Sequence, residues 1–275
     1  MARAMTIDDA PLNGFHLRVA AYTTGGFFVD GYILGMIGIS LALLAPQLGL
    51  GAVWTGLIGA SALAGIFIGG LVFGWMTDKV GRQTMYVADL IVFVVASALQ
   101  FFVEGPVTLF ILRLIMGIAI GADYAIGAAL LSEFLPRRQR GGLLACLNAV
   151  WTVGFVAAYI IGYFMQDIGP EAWRWMLASS AVPAALVLCL RLGTPESPRW
   201  LLSKGRVEEA RQVVKEYIHP DADIDDLVAE QGNETSYRKL FSKGLRKRTA
   251  FAGLFWFCQV VPYFAIFTFL PTVLE

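Results

Sequence analysis

Charged residues are scarce in this sequence, and neither sign of charge exceeds the other. Asp, Glu, Lys and Arg make up 15% of the 275 residues, against about 25% in soluble globular domains, while 57% of the residues are hydrophobic. The 21 basic residues balance the 21 acidic ones, so there is no charge excess to attract a nucleic acid. So apolar a chain cannot remain disordered in water. The composition therefore predicts an integral membrane protein without a nucleic-acid partner.

Cysteine and histidine are also rare, which limits the chemistry that the chain can carry. The three cysteines, Cys146, Cys189 and Cys258, lie in apolar runs without metal-site spacing, and the two histidines, His16 and His219, lie outside those runs. The sequence has no phosphate-binding loop, no dinucleotide-binding glycine motif, no zinc-protease motif and no C-x-x-C pair. We therefore expect no enzyme activity, no cofactor and no bound metal ion.

Long apolar runs cover most of the chain. About 20 apolar residues in a helix cross the ~30 Å hydrocarbon core, and only helices fit such continuous runs. The first run is too long for a cleaved signal peptide, so we interpret it as a membrane span. Six complete spans and most of a seventh are predicted, near residues 19–43, 53–75, 84–103, 107–131, 142–165 and 173–193, and from 249 to the end.

These runs predict an all-α membrane protein in three parts. Residues 1–193 form a six-helix transmembrane bundle, residues 194–248 a cytoplasmic linker with amphipathic helices, and residues 249–275 a truncated seventh span. Lys and Arg alternate between high and low numbers in successive connections, which predicts a cytoplasmic N-terminus. Residues 204–217 of the linker place apolar side chains at helical spacing. This segment is interpreted either as part of a solvated linker with a basic membrane anchor or as a cytoplasmic helical latch.

Four charged residues lie inside the predicted spans, at least five residues from either end: Asp30, Asp89, Arg113 and Asp123. A charge in hydrocarbon is costly, so such residues usually face a cavity or one another and mark substrate or proton pathways. Asp30 falls between Arg113 and Asp123 in depth if spans 1 and 4 adjoin. We expect protonation of Asp30 or Asp123 to alter pairing with Arg113, the alternative being a fixed Asp–Arg pair that only holds two helices together. Asp89 lies near the end of its span, where an interfacial position is expected.

Four motifs in successive connections and helices make the sequence recognisable. Residues 74–83 read GWMTDKVGRQ, residues 132–141 read SEFLPRRQRG, and residues 195–202 read PESPRWLL. Span 4 carries the series Arg113-x3-Gly117-x3-Gly121. Together they resemble the motifs of the major facilitator superfamily, in its sugar-porter-like and metabolite:H⁺ symporter branches.

The resemblance implies the N-terminal half of a fold that has two six-helix halves, with the substrate site between them. The missing half, or a second copy of this chain, is then needed for transport. Gly117 and Gly121 are implied to pack helices, while Tyr32, Gln259 and Tyr263 join the charged residues of the substrate and proton site. The resemblance also implies a cytoplasmic gate network that consists of Gly74, Asp78, Gly81, Arg82, Glu133, Arg140, Glu196 and Arg199.

These features predict a secondary active transporter of the bacterial inner membrane. It would carry a small organic metabolite, an organic acid or a sugar-like compound, in symport with protons by alternating access. Two alternatives remain: a facilitated-diffusion uniporter, and a truncated membrane scaffold that does not transport.

Overall fold

The computed structural model describes residues 5–229 and 240–274, which are almost entirely helical. The residues of the predicted linker numbered 230–239 lie outside this description. The long helices are α1 (Gly14–Gln47), α2 (Ala52–Val80), α3 (Arg82–Gln100), α4 (Pro106–Phe134) and α5 (Arg137–Met165), followed by α6 (Ala172–Ser179) and α7 (Ala181–Arg191). The later helices are α8 (Pro198–Ser203), α9 (Val207–Val213), α10 (Asp225–Ala229) and α11 (Arg246–Leu274).

Seven segments of the described chain are long and apolar enough to cross a membrane, as predicted. Five of them are α1 to α5, α6 and α7 together form the sixth, and α11 forms the seventh. The helices extend beyond the predicted apolar runs because polar residues continue and cap them. Asn13, for example, precedes α1: its side chain accepts the N–H of His16 at 3.0 Å, while the His16 ring accepts the N–H of Asn13 at 3.1 Å. The prediction of an all-α membrane fold is confirmed.

Helix α1 lies at the centre of the bundle. Every residue from 29 to 38 is buried, and α1 contacts α4, α5, α6, α7 and α11. The outward faces of the other long helices carry exposed apolar side chains, among them Phe67, Phe164 and Phe251. Polar side chains are therefore concentrated inside the bundle and at one end of it, which is the arrangement expected in a lipid bilayer.

The glycines predicted to pack helices lie at the contact between α2 and α4. A Cβ atom on Gly117 would collide with the carbonyl of Ala62, and one on Gly121 would collide with the carbonyl of Ile66. The two backbones approach this closely only because neither position of α4 carries a side chain.

We expect Gly117→Ala to lower the stability of the folded protein, because the added methyl group has to displace backbone rather than a flexible side chain. Such overpacking costs about 1–3 kcal/mol. The matched control is Gly142→Ala in α5, where nothing lies within 4 Å of the new Cβ and helix propensity favours alanine by about 1 kcal/mol. Thermal unfolding of the two purified variants in detergent measures the difference. Equal melting temperatures would contradict the close contact of α2 and α4.

The segment at 204–217 packs against the chain N-terminus. Helix α9 continues as a π-helical turn over Val214–Ile218, and its buried side chains include Ala210, Val214 and Ile218. The Asn13 side chain donates to the carbonyls of Tyr217 at 2.8 Å and Ile218 at 2.9 Å. Two short parallel strands, β1 (Met5–Thr6) and β2 (Ala222–Asp223), close the same contact. These contacts favour the latch interpretation over a solvated linker.

Candidate functional site

Three carboxyl groups meet inside the bundle. Asp30 of α1 and Asp123 of α4 are fully buried, and Asp89 of α3 is 4% exposed. Asp30 and Asp123 contact each other carboxyl to carboxyl, and Asp89 interacts electrostatically with Asp123. Two ionised carboxylates in contact repel, so the contact of Asp30 with Asp123 is favourable only when they share a proton. We call Asp30, Asp89 and Asp123 the buried carboxyl cluster.

Tyr86 of α3 lies against this cluster. A Cβ atom on Gly26 would lie 2.7 Å from the Tyr86 hydroxyl and 2.8 Å from Oδ2 of Asp123, so the two oxygens sit side by side over a position that only glycine leaves open. Tyr86 and Asp89 are three residues apart on α3, which places both on the same helix face. The phenol and the Asp123 carboxyl group therefore both border Gly26 of α1.

Arg191, at the end of α7, supplies the positive charge nearest to the carboxyl cluster. Its side chain is fully buried, and its guanidinium carbon lies 3.0 Å from the ring centroid of Tyr86 and 4.7 Å from that of Tyr22. Asp89 and Asp123 attract it electrostatically. A guanidinium group that stacks between aromatic rings and faces carboxylates can remain charged in an apolar interior.

Arg113 lies apart from the carboxyl cluster, which differs from the pairing expected from the sequence. Its guanidinium group is 1% exposed, and Nη2 donates to the carbonyl of Ile33 at 3.5 Å. Ile33 is three residues beyond Asp30 on α1, about 4.5 Å further along the helix axis. Within the described residues Arg113 forms no ion pair. Asp30 instead faces Asp123.

The other residues predicted for the substrate site have different surroundings. The Tyr32 hydroxyl lies 2.8 Å from that of Ser179 and so joins α1 to α6. Tyr263 of α11 is half-buried against Trp151 and Phe155 of α5, at centroid distances of 6.1 and 5.7 Å. Gln259, one turn before Tyr263, is exposed. The structure therefore brings Tyr263 into an aromatic cluster with α5 but leaves Gln259 and Tyr32 outside the carboxyl cluster.

Trp151 links this aromatic cluster to α4. Its indole N–H donates to the hydroxyl of Tyr124 at 2.7 Å, and Tyr124 directly follows Asp123 in the chain. Tyr124 also packs against Phe27 of α1, with ring centroids 5.4 Å apart. One hydrogen bond thus joins the aromatic cluster of α5 and α11 to Tyr124, the residue next to Asp123 in the chain.

A second group of charges lies at the bundle end where α2 meets α3. Glu133 pairs with Arg82 and accepts the hydroxyl of Ser197, and only 9% of its side chain is exposed. Glu196 accepts the backbone N–H groups of Arg82 and Gln83, each at 3.1 Å. These bonds attach the start of α3 to α4 and to the segment before α8. We call Arg82, Glu133, Glu196 and Ser197 the charged-end network.

Gly81 makes the turn into this network. Its φ of +122° is unfavourable for any residue with a side chain, and a Cβ atom there would collide with the Glu196 carboxylate. Asp78 is exposed and takes part through its backbone, since its carbonyl accepts the indole N–H of Trp200 at 3.2 Å. Gly74 is half-buried within α2, more than one turn before Asp78.

The two remaining arginines of the predicted gate have different surroundings. Arg199 acts electrostatically on Glu133 and so lies beside the charged-end network. Arg140 pairs with Asp8 of the N-terminal segment and donates to the carbonyl of Leu135 at 2.9 Å. Asp8 lies in a 3-10 turn just after β1, so Arg140 attaches the N-terminal segment to the connection between α4 and α5.

Sequence reasoning missed Arg191, Tyr86 and Gln83, and it placed Asp89 at an interface. In the sequence, Arg191 is the first charge after an apolar run and looks like one of the basic residues that follow span 6. Asp89 is buried because α4 and α7 pack against α3. Asp89 follows Tyr86 by three residues and Gln83 by six, a helical spacing that could have indicated one polar face of α3.

No group of three or more His, Cys, Asp or Glu side chains in the described part of the chain is arranged to hold a metal ion. In the carboxyl cluster, the aspartates lie near a tyrosine and an arginine instead.

Seven membrane-length segments in the described part of the chain, with carboxyl and guanidinium groups buried among them, define a polytopic membrane protein. The sequence profile of the family described as "Sugar (and other) transporter" matches residues 19–275, and the chain belongs to this family. The resemblance to the major facilitator superfamily is thereby confirmed, and the family is one of transporters.

Among curated relatives, the chain is 47% identical to the inner membrane metabolite transport protein YgcS of Escherichia coli strain K12, over 98% of this chain and 60% of that protein. It is 27% identical to the niacin transporter NiaP of Acinetobacter baylyi, over 98% of this chain and 62% of the relative. The chain thus spans about 60% of the length of each of these two relatives.

Among solved structures, the chain is similar to a D-xylose-proton symporter, with a TM-score of 0.63 and 26% identity. The match covers 73% of this chain and 54% of the symporter. The part of the fold that it represents is the N-terminal half.

Proposed function

We propose that this chain is the N-terminal half of a proton-coupled symporter for a small organic metabolite, either an organic acid or a sugar-like compound. The observation that carries the proposal is the buried carboxyl cluster with Tyr86 and Arg191 beside it. Charged groups within membrane helices usually mark substrate or proton pathways, because an isolated charge there costs several kcal/mol. A set of buried acids that contact one another can take up and release a proton as their surroundings change.

The relatives support the same class of activity. One is named a metabolite transport protein, one a niacin transporter and one a D-xylose-proton symporter. Niacin carries a carboxylate and xylose carries hydroxyl groups. The proposal therefore includes both substrate classes, with Arg113 and the aromatic wall of Trp151, Phe155 and Tyr263 as the groups of this half that face the substrate.

In the proposed cycle, the substrate binds near the membrane midplane between this bundle and a second one, and the two bundles rock around it. The charged-end network lies on the cytoplasmic side, as does the N-terminus, in the inner membrane of a bacterium. It holds that end closed while the cavity opens outward. Protonation of Asp30 or Asp123 accompanies substrate binding, and breakage of the contacts around Glu133 and Glu196 accompanies inward opening.

The test is uptake by the full-length protein in liposomes, with radiolabelled D-xylose and nicotinate as probes. With an acidic exterior, we expect one of the probes to accumulate above its external concentration and to leak out again when a protonophore is added. Uptake that stops at equal concentrations, with or without the pH difference, would indicate a uniporter and contradict proton coupling. Liposomes without protein are the control for leakage.

A further inference from the structure

Arg191 has an unusual position, because it lies between the buried carboxyl cluster, with which it interacts electrostatically, and the charged end of the bundle, to which it is hydrogen-bonded. The groups with titratable or charged side chains that face it are Tyr22 of α1, Tyr86 and Asp89 of α3, and Asp123 of α4. Arg18 of α1 lies next to the same helix end and donates to the carbonyls of Leu190 and Leu192, at 3.0 and 2.7 Å.

On its other side, Arg191 is bonded to the first turn of α3. Its Nη2 donates to Oε1 of Gln83 at 3.0 Å, and the Gln83 amide returns a hydrogen bond to the Arg191 carbonyl at 3.5 Å. The backbone N–H of Gln83 in turn donates to the Glu196 carboxylate at 3.1 Å. One side chain, that of Gln83, therefore separates Arg191 from the charged-end network.

We propose that Arg191 is a positioning residue that transmits the protonation state of Asp89 and Asp123 to the charged-end network through Gln83. The inference rests on the proposed proton-coupled function. While the two aspartates are ionised, they hold the guanidinium group inward, and Gln83 keeps the start of α3 where Glu196 binds it. Protonation of the aspartates removes that attraction, the guanidinium group shifts, and the contact between α3 and Glu196 weakens.

A purely structural role for Arg191 explains less of the geometry. The end of α7 is already attached to α1 by Arg18, so Arg191 is not needed for that contact. Within the described residues, Nε and Nη1 of Arg191 have no hydrogen-bond partner, although buried donors in a fixed contact are normally satisfied. An arginine that is held by rings and by the charge of nearby carboxylates can move when that charge changes, because attraction across an apolar interior is strong and falls with distance.

The experiment measures how pH alters access to the charged end in the full-length protein, without any substrate. All cysteines of the full-length protein, including the three of this chain, are replaced by alanine, and the reporter is Leu201→Cys on α8, at a position that is 2% exposed. Its rate of reaction with a maleimide is measured between pH 5.5 and pH 8.5 in lipid nanodiscs, after correction for the pH dependence of thiol reactivity. We expect the corrected rate in the parent to rise by about tenfold toward low pH, since a hydrogen bond to a charged group contributes that much to an equilibrium.

Two variants test the link, and a third is the control. Arg191→Gln and Gln83→Leu are each expected to reduce the pH-dependent change to less than about twofold. Gln83→Leu leaves every charge in place, so it tests the link even if Arg191→Gln does not fold. Arg18→Gln loosens the same helix end without facing the carboxylates, and it is expected to keep the full pH dependence.

The outcomes separate this inference from the proposed function. A pH-dependent parent together with equally pH-dependent Arg191→Gln and Gln83→Leu variants would overturn the role of Arg191 and leave proton-coupled transport standing. A parent whose labelling does not change with pH would overturn the inference, while proton-driven uptake in liposomes would still decide the proposed function separately. Loss of the pH dependence in Arg18→Gln as well would also overturn the inference, because it would indicate that any loosening of α7 has the same effect.

Discussion

Asp123→Asn in the full-length protein is expected to abolish accumulation of substrate against its gradient. Asparagine has the shape of aspartic acid but cannot exchange a proton, so the contact with Asp30 and Tyr86 is kept while proton coupling is lost. With one proton per substrate, a pH difference of one unit supports about a tenfold accumulation, because one pH unit corresponds to about 1.4 kcal/mol. The accumulation ratio of the variant should fall from this value to one.

Exchange of labelled for unlabelled substrate at equal pH does not require net proton movement, and the variant should retain it. This measurement distinguishes a lost coupling group from a protein that no longer folds. The matched control is Asp167→Asn, in the exposed turn after α5, which should keep both activities. Accumulation by Asp123→Asn at the level of the parent would remove Asp123 from the proton pathway.

Glu133→Gln is expected to loosen the charged end of the bundle. The substitution keeps the size of the side chain but removes the negative charge that pairs with Arg82 and lies near Arg199. Since Glu133 is almost fully buried, the loss should weaken the closed state by about 1–3 kcal/mol, which corresponds to a roughly five- to hundredfold shift toward the open state. The maleimide reaction of the Leu201→Cys reporter should become faster by a factor in this range.

Glu209→Gln is the control for Glu133→Gln. Glu209 pairs with Arg206 three residues earlier at the surface, where solvent screens the interaction, so the reporter should react at the parent rate. If Glu133→Gln also left the rate unchanged, the charged-end network would not be what keeps this end closed.

The membrane helices could be predicted from the sequence because a bilayer requires continuous apolar runs of a fixed length. The ends of those helices could not, since α1 starts at a side-chain cap on Asn13 and α2 ends at the turn of Gly81. Such ends depend on local hydrogen bonds and backbone angles, which hydrophobic patterning does not report. The break between α6 and α7 at Ser180 likewise left no signal in the hydropathy of the run.

The candidate site could be predicted in part. Asp30 and Asp123 can be identified from the sequence, because a charged residue is unusual within an apolar run. In the structure they lie together. Their counter-charge could not be assigned, because helix periodicity gives the depth and direction of a side chain but not which neighbouring helix it faces. Arg113 lies at the level of Ile33 of α1. Arg191 lies near the cluster at the end of α7, and in the sequence this position looks like the start of a polar connection.

The cytoplasmic gate network was implied by family motifs rather than by spacing, and the structure places its members in separate contacts. Glu196 and Arg82 meet because Gly81 turns the chain back between α2 and α3. Arg140 faces Asp8, since the N-terminal segment folds over the connection between α4 and α5. A contact of this kind joins residues 132 positions apart, and a single sequence contains no signal for it.

The most direct test of the account is the movement of protons driven by substrate alone. Liposomes that contain the full-length protein and an internal pH dye are placed in a solution of the accumulated probe, D-xylose or nicotinate, with equal pH on both sides. Because coupling is reciprocal, influx of the substrate should carry protons inward and acidify the interior, and Asp123→Asn should prevent the acidification. Substrate influx at the parent rate without any change of internal pH would contradict the assignment of the buried carboxyl cluster as the proton-coupling site.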